Sequence, residues 1–363
     1  MVGKKRKIEC PMPCRESQFE EISGFIRDNV AHESSRCMYV SGVPGTGKTL
    51  IVQSAINELK AHSSDLEFNH VYINGLTLGS NPDKLWRKLW KELDDTKLAP
   101  KQALRKLLEY FQTREILPTV LVVDELDQLM DKKQSVLYRL LEWTTDPLAK
   151  FTFIAIFNTM NLPESALVNR NASRIGFSRV VFPPYDHSQL QIIVETSLLG
   201  GKRRKELSKD ALILLSRKVA AISGDARRAL EIAKRALEIL ETSDKPGAKA
   251  VDEAFKELFS SPKIDTIRDC TDLEKSLLEQ VISELNRTGS EETSYGPVQA
   301  NVLSCCGYDG KNWSSDNILA ALVRLVNMKL IVMESSGNFV SSLTRISLNV
   351  PTEDVKFALA RTQ

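Results

Sequence analysis

The sequence predicts an α/β domain built on a parallel sheet, followed by a small helical domain and a mixed α+β domain. Three observations predict this order. Residues 11 to 182 alternate helical patterns with short, almost continuously apolar segments, which is typical of strands covered on both faces. Residues 186 to 259 carry only the apolar periodicity of helices. Beyond residue 260, helical segments lead into two strand-like runs that are separated by a Ser-Gly-Asn turn.

The C-terminal pattern has a recognisable plan. Helical segments begin near Asp269, Tyr295 and Ser314, the two strand-like runs follow, and a last helix begins near Pro351. Three helices followed by a β-hairpin is the plan of a winged helix, a relative of the helix-turn-helix. Few cations lie in its recognition stretch and its wing, so contact with DNA and contact with protein both remain open.

Length and composition are those of a multidomain globular protein. A chain of 363 residues is long for one hydrophobic core, so we expect two or three domains. No apolar run approaches the roughly 20 residues of a membrane helix, and we expect no membrane partner. The N-terminus does not resemble a secretory signal. Six cysteines without metal-binding spacing predict reduced thiols in the cytosol or nucleus and no cysteine metal site.

The charge balance restricts nucleic-acid binding to local contacts. Basic residues number 49 and acidic residues 47, a formal net charge of +2. The cluster Lys4 to Lys7 fits a nuclear-import signal, a phosphate-contacting tail or a solvated terminus. The cluster Lys202 to Lys205 follows two glycines and is better explained as a solvated loop.

The segment YVSGVPGTGKTL, residues 39 to 50, contains a phosphate-binding motif. Gly42, Gly47, Lys48 and Thr49 satisfy the pattern G-x-x-x-x-G-K-T between a strand-like and a helix-like segment. Such glycines turn backbone N–H groups inward at a helix N-terminus, where anions bind. We expect Lys48 to reach the β- and γ-phosphates and Thr49 to bind Mg²⁺. The predicted nucleotide-binding residues here are Gly42, Val43, Pro44, Gly45, Thr46, Gly47, Lys48, Thr49 and Leu50.

A pair of carboxylates follows a later apolar strand. The segment TVLVVDELD ends its strand at Asp124 and Glu125. We expect Asp124 to hold the Mg²⁺ shell, and Glu125 to lie near metal and nucleotide and to polarise the attacking water. The alternative is that both residues begin a solvated loop.

Two further residues are candidates for contact with phosphate. Asn158 ends the next strand, where its amide would contact the γ-phosphate or the water, although an ordinary turn residue is the alternative. Asp225 is predicted to cap a helix that carries Arg227 and Arg228 in its first turn. Cations are disfavoured at a helix N-terminus, so an arginine there suggests an anionic partner such as a phosphate. Solvent exposure without a partner is the alternative.

Together these segments resemble AAA+ ATPases of the initiator and clamp-loader group. GVPGTGKT corresponds to Walker A, VLVVDELD to Walker B, Asn158 to sensor 1 and Arg227 of GDAR to sensor 2. The segments PCRESQFEEI, NRNASRIGFSRVVFPPY and RISLNVPTEDVKFAL extend the resemblance to the subunit 1 family of eukaryotic origin recognition complexes, over residues 8 to 360. The paralogous helicase-loading factor shares FPPY and DQL, whereas SGVPGTGKT and NRNASRIG favour subunit 1.

The resemblance implies a complete domain plan and a set of partners. It implies an AAA+ α/β domain with an N-terminal linker over residues 1–185, a helical lid over 186–260 and a winged-helix domain over 261–363. ATP and Mg²⁺ are the implied ligands, in a nuclear ATPase that switches helicase loading at replication origins. The implied partners are other subunits of the complex, the helicase-loading factor, the replicative helicase and double-stranded DNA.

Several residue roles rest on the resemblance alone. Ile8 is expected to contact the adenine, and Arg174 of SRIG to act in trans as an arginine finger, with a local salt bridge as the alternative. The segment NPDKLWRKLWKELDD corresponds to an insertion that meets DNA, although its two tryptophans are equally compatible with a core role. The basic residues expected to contact DNA are Lys84, Arg87, Lys88 and Lys91. With Lys48, Glu125 and Asn158, whose roles follow from the motifs above, Arg174 makes up the set of residues expected to act in catalysis.

The chain departs from the family pattern at its N-terminus. The family usually carries a long N-terminal extension with a chromatin-binding domain, and this sequence begins just before the ATPase. We therefore assign no chromatin recognition to these residues. Two other interpretations remain: ATP held only as a structural ligand, which intact Lys48, Asp124 and Glu125 disfavour, and a clamp-loader subunit, which the winged-helix pattern disfavours.

Overall fold

The structure is a computed structural model that forms two compact units, Met1–Tyr185 and Asp186–Gln363. It describes most of both units. The described residues are 12–62, 66–78, 83–113, 115–129, 135–158, 178–199, 207–242, 246–258, 262–288, 292–309, 313–334 and 340–360.

The first unit is built on a five-stranded sheet in which every pairing is parallel. Its strands are β1 (Arg36–Gly42), β2 (Asn69–Asn74), β3 (Thr119–Asp124), β4 (Phe151–Phe157) and β5 (Arg179–Phe182). Their order across the sheet is β2-β3-β4-β1-β5. Every residue of the central strands β3 and β4 is buried, which is why their sequences are apolar without alternation. The predicted parallel α/β sheet is confirmed.

Helices cover both faces of this sheet. They are α1 (Glu16–Ala31), α2 (Lys48–His62), α3 (Lys84–Asp94), α4 (Pro100–Phe111) and α5 (Ser135–Thr145). Helices α1 and α2 pack on one face, and α3, α4 and α5 pack on the other. In the described ranges of this unit, short 3-10 turns connect elements at Gly75–Leu78, Leu126–Leu129 and Pro147–Ala149.

The two tryptophans of α3 belong to the core. Trp86 is 3% exposed and Trp90 is 8% exposed. The ring of Trp86 meets Trp143 edge to face with centroids 5.6 Å apart, and Trp90 meets Tyr110 in the same way at 6.4 Å. These contacts decide the question that the sequence left open, because neither indole is available to stack on a nucleic-acid base.

The described residues at the start of the second unit form helices, as their apolar periodicity predicts. They are α6 (His187–Leu199), α7 (Lys209–Ile222), α8 (Ala226–Thr242) and α9 (Gly247–Leu258). Their buried faces carry mostly alanine, leucine and isoleucine, which allows close approach between the helices. Gly224 lies in the left-handed region at φ 64° and makes the sharp turn from α7 into α8.

The remainder of the second unit combines helices with a small antiparallel sheet of order β6-β8-β7. The two predicted strand-like runs are confirmed as β7 and β8, whereas β6 was not foreseen because three residues are too few to show alternation. The elements are α10 (Pro262–Arg268), α11 (Asp272–Thr288), β6 (Glu292–Ser294), α12 (Tyr295–Asp309), α13 (Ser315–Asn327), β7 (Ile331–Glu334), β8 (Arg345–Leu348) and α14 (Thr352–Ala360). No helix in the described part of the chain has the length and apolarity to cross a membrane.

The end of β1 requires glycine, and this can be tested. A Cβ atom on Gly42 would lie 2.4 Å from the carbonyl oxygen of Phe182, a backbone atom of β5. We expect Gly42→Ala to lower the melting temperature by the equivalent of about 1–3 kcal/mol, the usual range for overpacking. Thermal unfolding followed by circular dichroism measures this change.

The matched control is a glycine inside a helix. A Cβ atom on Gly24 of α1 would meet nothing within 4 Å. Gly24→Ala should therefore raise stability by about 0.5–1 kcal/mol, because alanine loses less backbone entropy than glycine in a helix. Equal melting temperatures for the two variants would contradict the close packing of β1 on β5.

Candidate functional site

The loop between β1 and α2 has the backbone of an anion-binding nest. Gly45 and Gly47 lie in the left-handed region, at φ 75° and 89°, where residues with a Cβ atom are strained. A Cβ atom on Gly47 would also lie 2.7 Å from Sδ of Met12. Helix α2 begins directly after it, at Lys48, so the loop amides and the positive end of the helix face the same region. The predicted strand, glycine loop and helix are therefore all present.

Lys48 lies folded against the loop. Its side chain is buried, and its ammonium donates hydrogen bonds to the carbonyl oxygens of Gly42 at 2.7 Å and Val43 at 2.9 Å. The hydroxyl of Thr46 donates to the same Val43 carbonyl at 2.8 Å. These bonds hold a full positive charge beside the nest.

A buried arginine and a tyrosine hold the loop between β1 and α2 through one of its carbonyl groups. The guanidinium Nε of Arg15 and the hydroxyl of Tyr185 both donate to the carbonyl of Thr46, at 3.2 and 3.1 Å. Arg15 is 1% exposed, stacks 4.0 Å from the ring centroid of Tyr185 and donates to the carbonyl of Pro183 at 2.5 Å. The residues before α1 and the FPPY segment thus restrain the loop together.

The carboxylate of Asp124 joins β3 to the loop. Its Oδ2 atom accepts hydrogen bonds from the hydroxyl of Thr49 at 2.6 Å and from the hydroxyl of Tyr72 at 2.8 Å. Its Oδ1 atom accepts one from the backbone N–H of Glu125 at 3.0 Å. The two residues that the sequence assigned to one Mg²⁺ site are therefore in direct contact.

Tyr72 was not foreseen from the sequence. It lies on β2, beside β3. Burial is the largest cause that raises the pKa of its hydroxyl, and the hydrogen bond to Asp124 raises it further. The hydroxyl donates its proton to the hydrogen bond with Asp124. The available signal was a tyrosine in an apolar strand, since a partly buried tyrosine hydroxyl usually has a polar partner.

Glu125 has an unusual backbone conformation. Its φ of 52° lies in the left-handed region, which costs a residue other than glycine on the order of 1–3 kcal/mol. Its carbonyl oxygen would lie 2.3 Å from a Cβ atom on Gly75, so only glycine fits at the end of β2. Strain of this kind is concentrated at functional sites, and here the left-handed backbone sets the direction of the Cα–Cβ bond of Glu125, directly after β3.

Asn158 lies at the same edge of the sheet. It follows β4 directly, and β4 is hydrogen-bonded to β3 on one side and β1 on the other. Its backbone therefore lies between the strand that ends in Gly42 and the strand that ends in Asp124. This is the position from which a neutral amide can reach toward both.

The oxygen atoms at this edge suit Mg²⁺ better than a transition metal. No group of three or more histidine, cysteine, aspartate or glutamate side chains forms a metal cage within the described ranges. Thr49 and Asp124 supply one hydroxyl and one carboxylate. Mg²⁺ fits such a site because it keeps several waters and takes its other ligands from substrate phosphates.

The predicted lid arginine lies in the second unit. Asp225 is confirmed as the cap of α8, because its Oδ1 atom accepts a hydrogen bond from the backbone N–H of Arg227 at 2.7 Å. The side chain of Arg227 is exposed in the first turn of α8. Ile8 and Arg174 lie outside the described residues.

The basic residues of α3 form one stripe opposite its buried face. Lys84, Arg87 and Lys91 are exposed and Lys88 is partly exposed. Their spacing of three and four residues aligns them on a helix. Among the described residues none of the four forms an ion pair, whereas Arg105 and Lys106 of α4 both pair with Glu109.

Comparison with known proteins agrees with this geometry. The model of the ATPase family associated with various cellular activities (AAA) matches residues 38–179, and the AAA lid domain model matches residues 200–252. Origin recognition complex subunit 1 of Homo sapiens is 38% identical over 361 residues, which cover 96% of this chain and 41% of that protein. The chain thus spans about two fifths of the length of this relative.

Solved structures extend the similarity to the fold. A chain in the structure of Drosophila ORC bound to DNA is 37% identical with a TM-score of 0.64, covering 98% of this chain and 89% of that chain. The Aeropyrum pernix ORC1 protein in complex with DNA has a TM-score of 0.60 at 22% identity, covering 97% and 94%, and shows the fold alone. Identity above one third across nearly the whole of the matched Drosophila chain, together with the curated relative, means that this chain belongs to the origin recognition complex subunit 1 family of AAA ATPases.

Proposed function

We propose that the chain binds ATP with Mg²⁺ and hydrolyses it as the ATP switch of an origin recognition complex that grips origin DNA and helps to load the replicative helicase. The observation that carries the proposal is the direct contact between the phosphate loop and the carboxylate strand, at Thr49 and Asp124. It brings a buried lysine, a hydroxyl and two carboxylates to one edge of the sheet.

Nucleotide binding follows from the loop. The amides of residues 42 to 49 and the N-terminus of α2 would hold the phosphates, with Lys48 exchanging its carbonyl partners for β- and γ-phosphate oxygens. Leu50, 47% exposed in the first turn of α2, offers an apolar contact for the rest of the nucleotide. Ile8 is proposed to contact the adenine on the strength of the family resemblance.

Hydrolysis would be divided among residues at the strand ends. Thr49 and Asp124 would hold Mg²⁺, which neutralises charge that develops on the β- and γ-phosphate oxygens. Glu125 would accept a proton from the attacking water or orient it, and Asn158 would fix the position of that water or the γ-phosphate. Arg227 from the lid and an arginine supplied by a neighbouring subunit would complete the charge stabilisation, so turnover without that neighbour should be slow. Arg174 of this chain would act in the same way, in trans, on the nucleotide of a neighbouring subunit.

The partners and domain plan are proposed from the family. Relatives are named as origin recognition complex subunits, and one solved relative is ORC bound to DNA. We therefore propose other subunits of such a complex, double-stranded DNA, the helicase-loading factor and the replicative helicase as partners, and a nuclear location. We also propose the boundaries 1–185 for the ATPase domain, 186–260 for the lid and 261–363 for a winged helix.

The order of elements supports the winged-helix proposal. Helix α11, strand β6, helices α12 and α13 and the antiparallel pair β7 and β8 follow one another as in that fold. Arg324 on α13 pairs with the buried carboxylate of Glu274 at 3.3 Å, and Arg345 on β8 pairs with Glu292 at 3.4 Å. Because these cations already have acidic partners, the domain is as well suited to contact protein as to contact DNA.

The first test removes the charge of the loop. Lys48→Ala should abolish ATP binding, because it deletes the one full positive charge among the backbone donors. Lys60→Ala, an exposed position near the end of the same helix, is the control and should bind as the parent does. Equilibrium titration with labelled ATP decides the question, and unchanged affinity in a folded Lys48→Ala variant would refute the site.

The second test separates binding from turnover. Glu125→Gln should keep ATP affinity and slow hydrolysis by roughly 10²-fold or more, since the amide cannot accept a proton. The exposed Glu20→Gln of α1 is the matched control. Rates are measured with the chain assembled with candidate partner subunits. A Glu125→Gln variant that keeps the parental rate would favour ATP as a structural ligand.

The third test concerns the stripe on α3. Replacing Lys84, Arg87, Lys88 and Lys91 by alanine in the assembly should weaken binding to unrelated duplexes by similar factors. The slope of the logarithm of the binding constant against the logarithm of the salt concentration should also become shallower, by about 0.9 for each DNA phosphate that the variant no longer neutralises. Fluorescence anisotropy with two duplexes over a salt series measures both effects.

The matched control for this test lies on α4. Replacing Lys101, Arg105 and Lys106 by alanine removes exposed cations, two of which are already neutralised by Glu109. This variant should keep the parental salt dependence. An unchanged slope in the α3 variant would show that the stripe does not touch the DNA backbone, and weaker binding to one duplex only would mean that it reads bases.

A further inference from the structure

We propose that Tyr72 is a positioning residue for Asp124: its hydroxyl occupies Oδ2 and thereby directs Oδ1 toward the Mg²⁺ shell. The inference deepens the proposed function and rests on it. It starts from an asymmetry in the carboxylate, because Oδ2 accepts two hydrogen bonds and Oδ1 only one.

The hydrogen-bond acceptor sites of the Asp124 carboxylate show which of its two oxygens can accept a further partner. An ionised carboxylate has about four lone-pair sites, two on each oxygen. Thr49 and Tyr72 occupy both sites on Oδ2, and the N–H of Glu125 occupies one on Oδ1. The acceptor site that the described residues leave over lies on Oδ1. A metal ion or a water molecule in its shell is the natural partner for it.

The bond from Thr49 is compatible with metal binding. A hydroxyl has one proton and two lone pairs, so Thr49 can donate to Asp124 and still offer an oxygen lone pair to Mg²⁺. Tyr72 is different, because its hydroxyl donates from the neighbouring strand rather than from the phosphate loop. Tyr72 therefore restrains the carboxylate independently of the nucleotide loop.

The ring of Tyr72 is itself held in place. It packs against the apolar cluster that α1 and α2 form on one face of the sheet. In the β2–β3 register Tyr72 lies opposite Val122 and Asn74 lies opposite Asp124, so the tyrosine side chain reaches two residues along the strand direction to the carboxylate. A rigid donor of this kind limits rotation of the Asp124 carboxylate. Outer-shell partners of metal-binding groups typically contribute about 10- to 100-fold to metal affinity.

The experiment separates metal from nucleotide. Binding of a fluorescent ATP analogue to the whole chain is titrated at buffered free Mg²⁺ concentrations and in excess chelator. Tyr72→Phe keeps the ring and deletes the hydroxyl. Tyr72→Phe should raise by about 10-fold or more the Mg²⁺ concentration at which Mg²⁺ has half of its full effect on binding of the ATP analogue. The affinity for the analogue in excess chelator should stay unchanged.

A second tyrosine provides the matched control. Tyr39 lies on β1 in the same sheet, and its buried hydroxyl has no hydrogen-bond partner among the described residues. Tyr39→Phe should leave the Mg²⁺ midpoint at the parental value, and melting temperatures confirm that both variants fold.

The outcomes distinguish this inference from the proposed function. A parental Mg²⁺ midpoint in Tyr72→Phe overturns the inference while ATP binding stands. So does a loss of affinity in chelator at an unchanged midpoint, because that pattern reports damage to the loop. If the parent chain binds no ATP analogue at any Mg²⁺ concentration, the proposed function itself fails and this inference fails with it.

Discussion

The hydrogen bond from Thr49 to Asp124 is the contact on which the candidate site depends. It spans 2.6 Å between the first turn of α2 and the end of β3, two elements that are 75 residues apart in the chain. Strand β4 lies between β1 and β3, so the bond crosses over its end. A shift of β3 by one residue would turn Asp124 to the other face of the sheet and break the bond. The complete burial of β3 and β4 fixes the register and hence the site.

The remaining contacts act on the two partners of this bond. Arg15 and Tyr185 hold the loop through the carbonyl of Thr46, and Tyr72 holds the carboxylate through Oδ2. Gly75 leaves room for the carbonyl of Glu125, whose backbone lies in the left-handed region. Because several elements restrain this site, one of its residues can keep a strained backbone conformation. The stabilising contacts of the surrounding residues offset the free energy that the strain costs.

Local patterns made part of this arrangement predictable. The glycine spacing around Lys48 and the apolar run before Asp124 are each confined to a short stretch of neighbouring residues. Such local patterns can be recognised in one sequence without knowledge of the fold. The same holds for Asp225, whose capping role depends only on the next two residues. Tyr72, Gly75 and Arg15 escaped prediction because their partners lie 52, 50 and 31 residues away, and only the fold brings them together. The tryptophans of α3 were ambiguous for the opposite reason, since the same helical spacing serves a core face and a binding face.

The central claim is that these contacts assemble a site for hydrolysis and not only for binding. ATP turnover tests it most directly, measured for the chain alone and then with candidate partner subunits, with and without Mg²⁺. The account predicts slow, Mg²⁺-dependent turnover by the chain alone and faster turnover once a neighbouring subunit supplies its arginine. ATP that binds tightly yet is hydrolysed in neither preparation would contradict it.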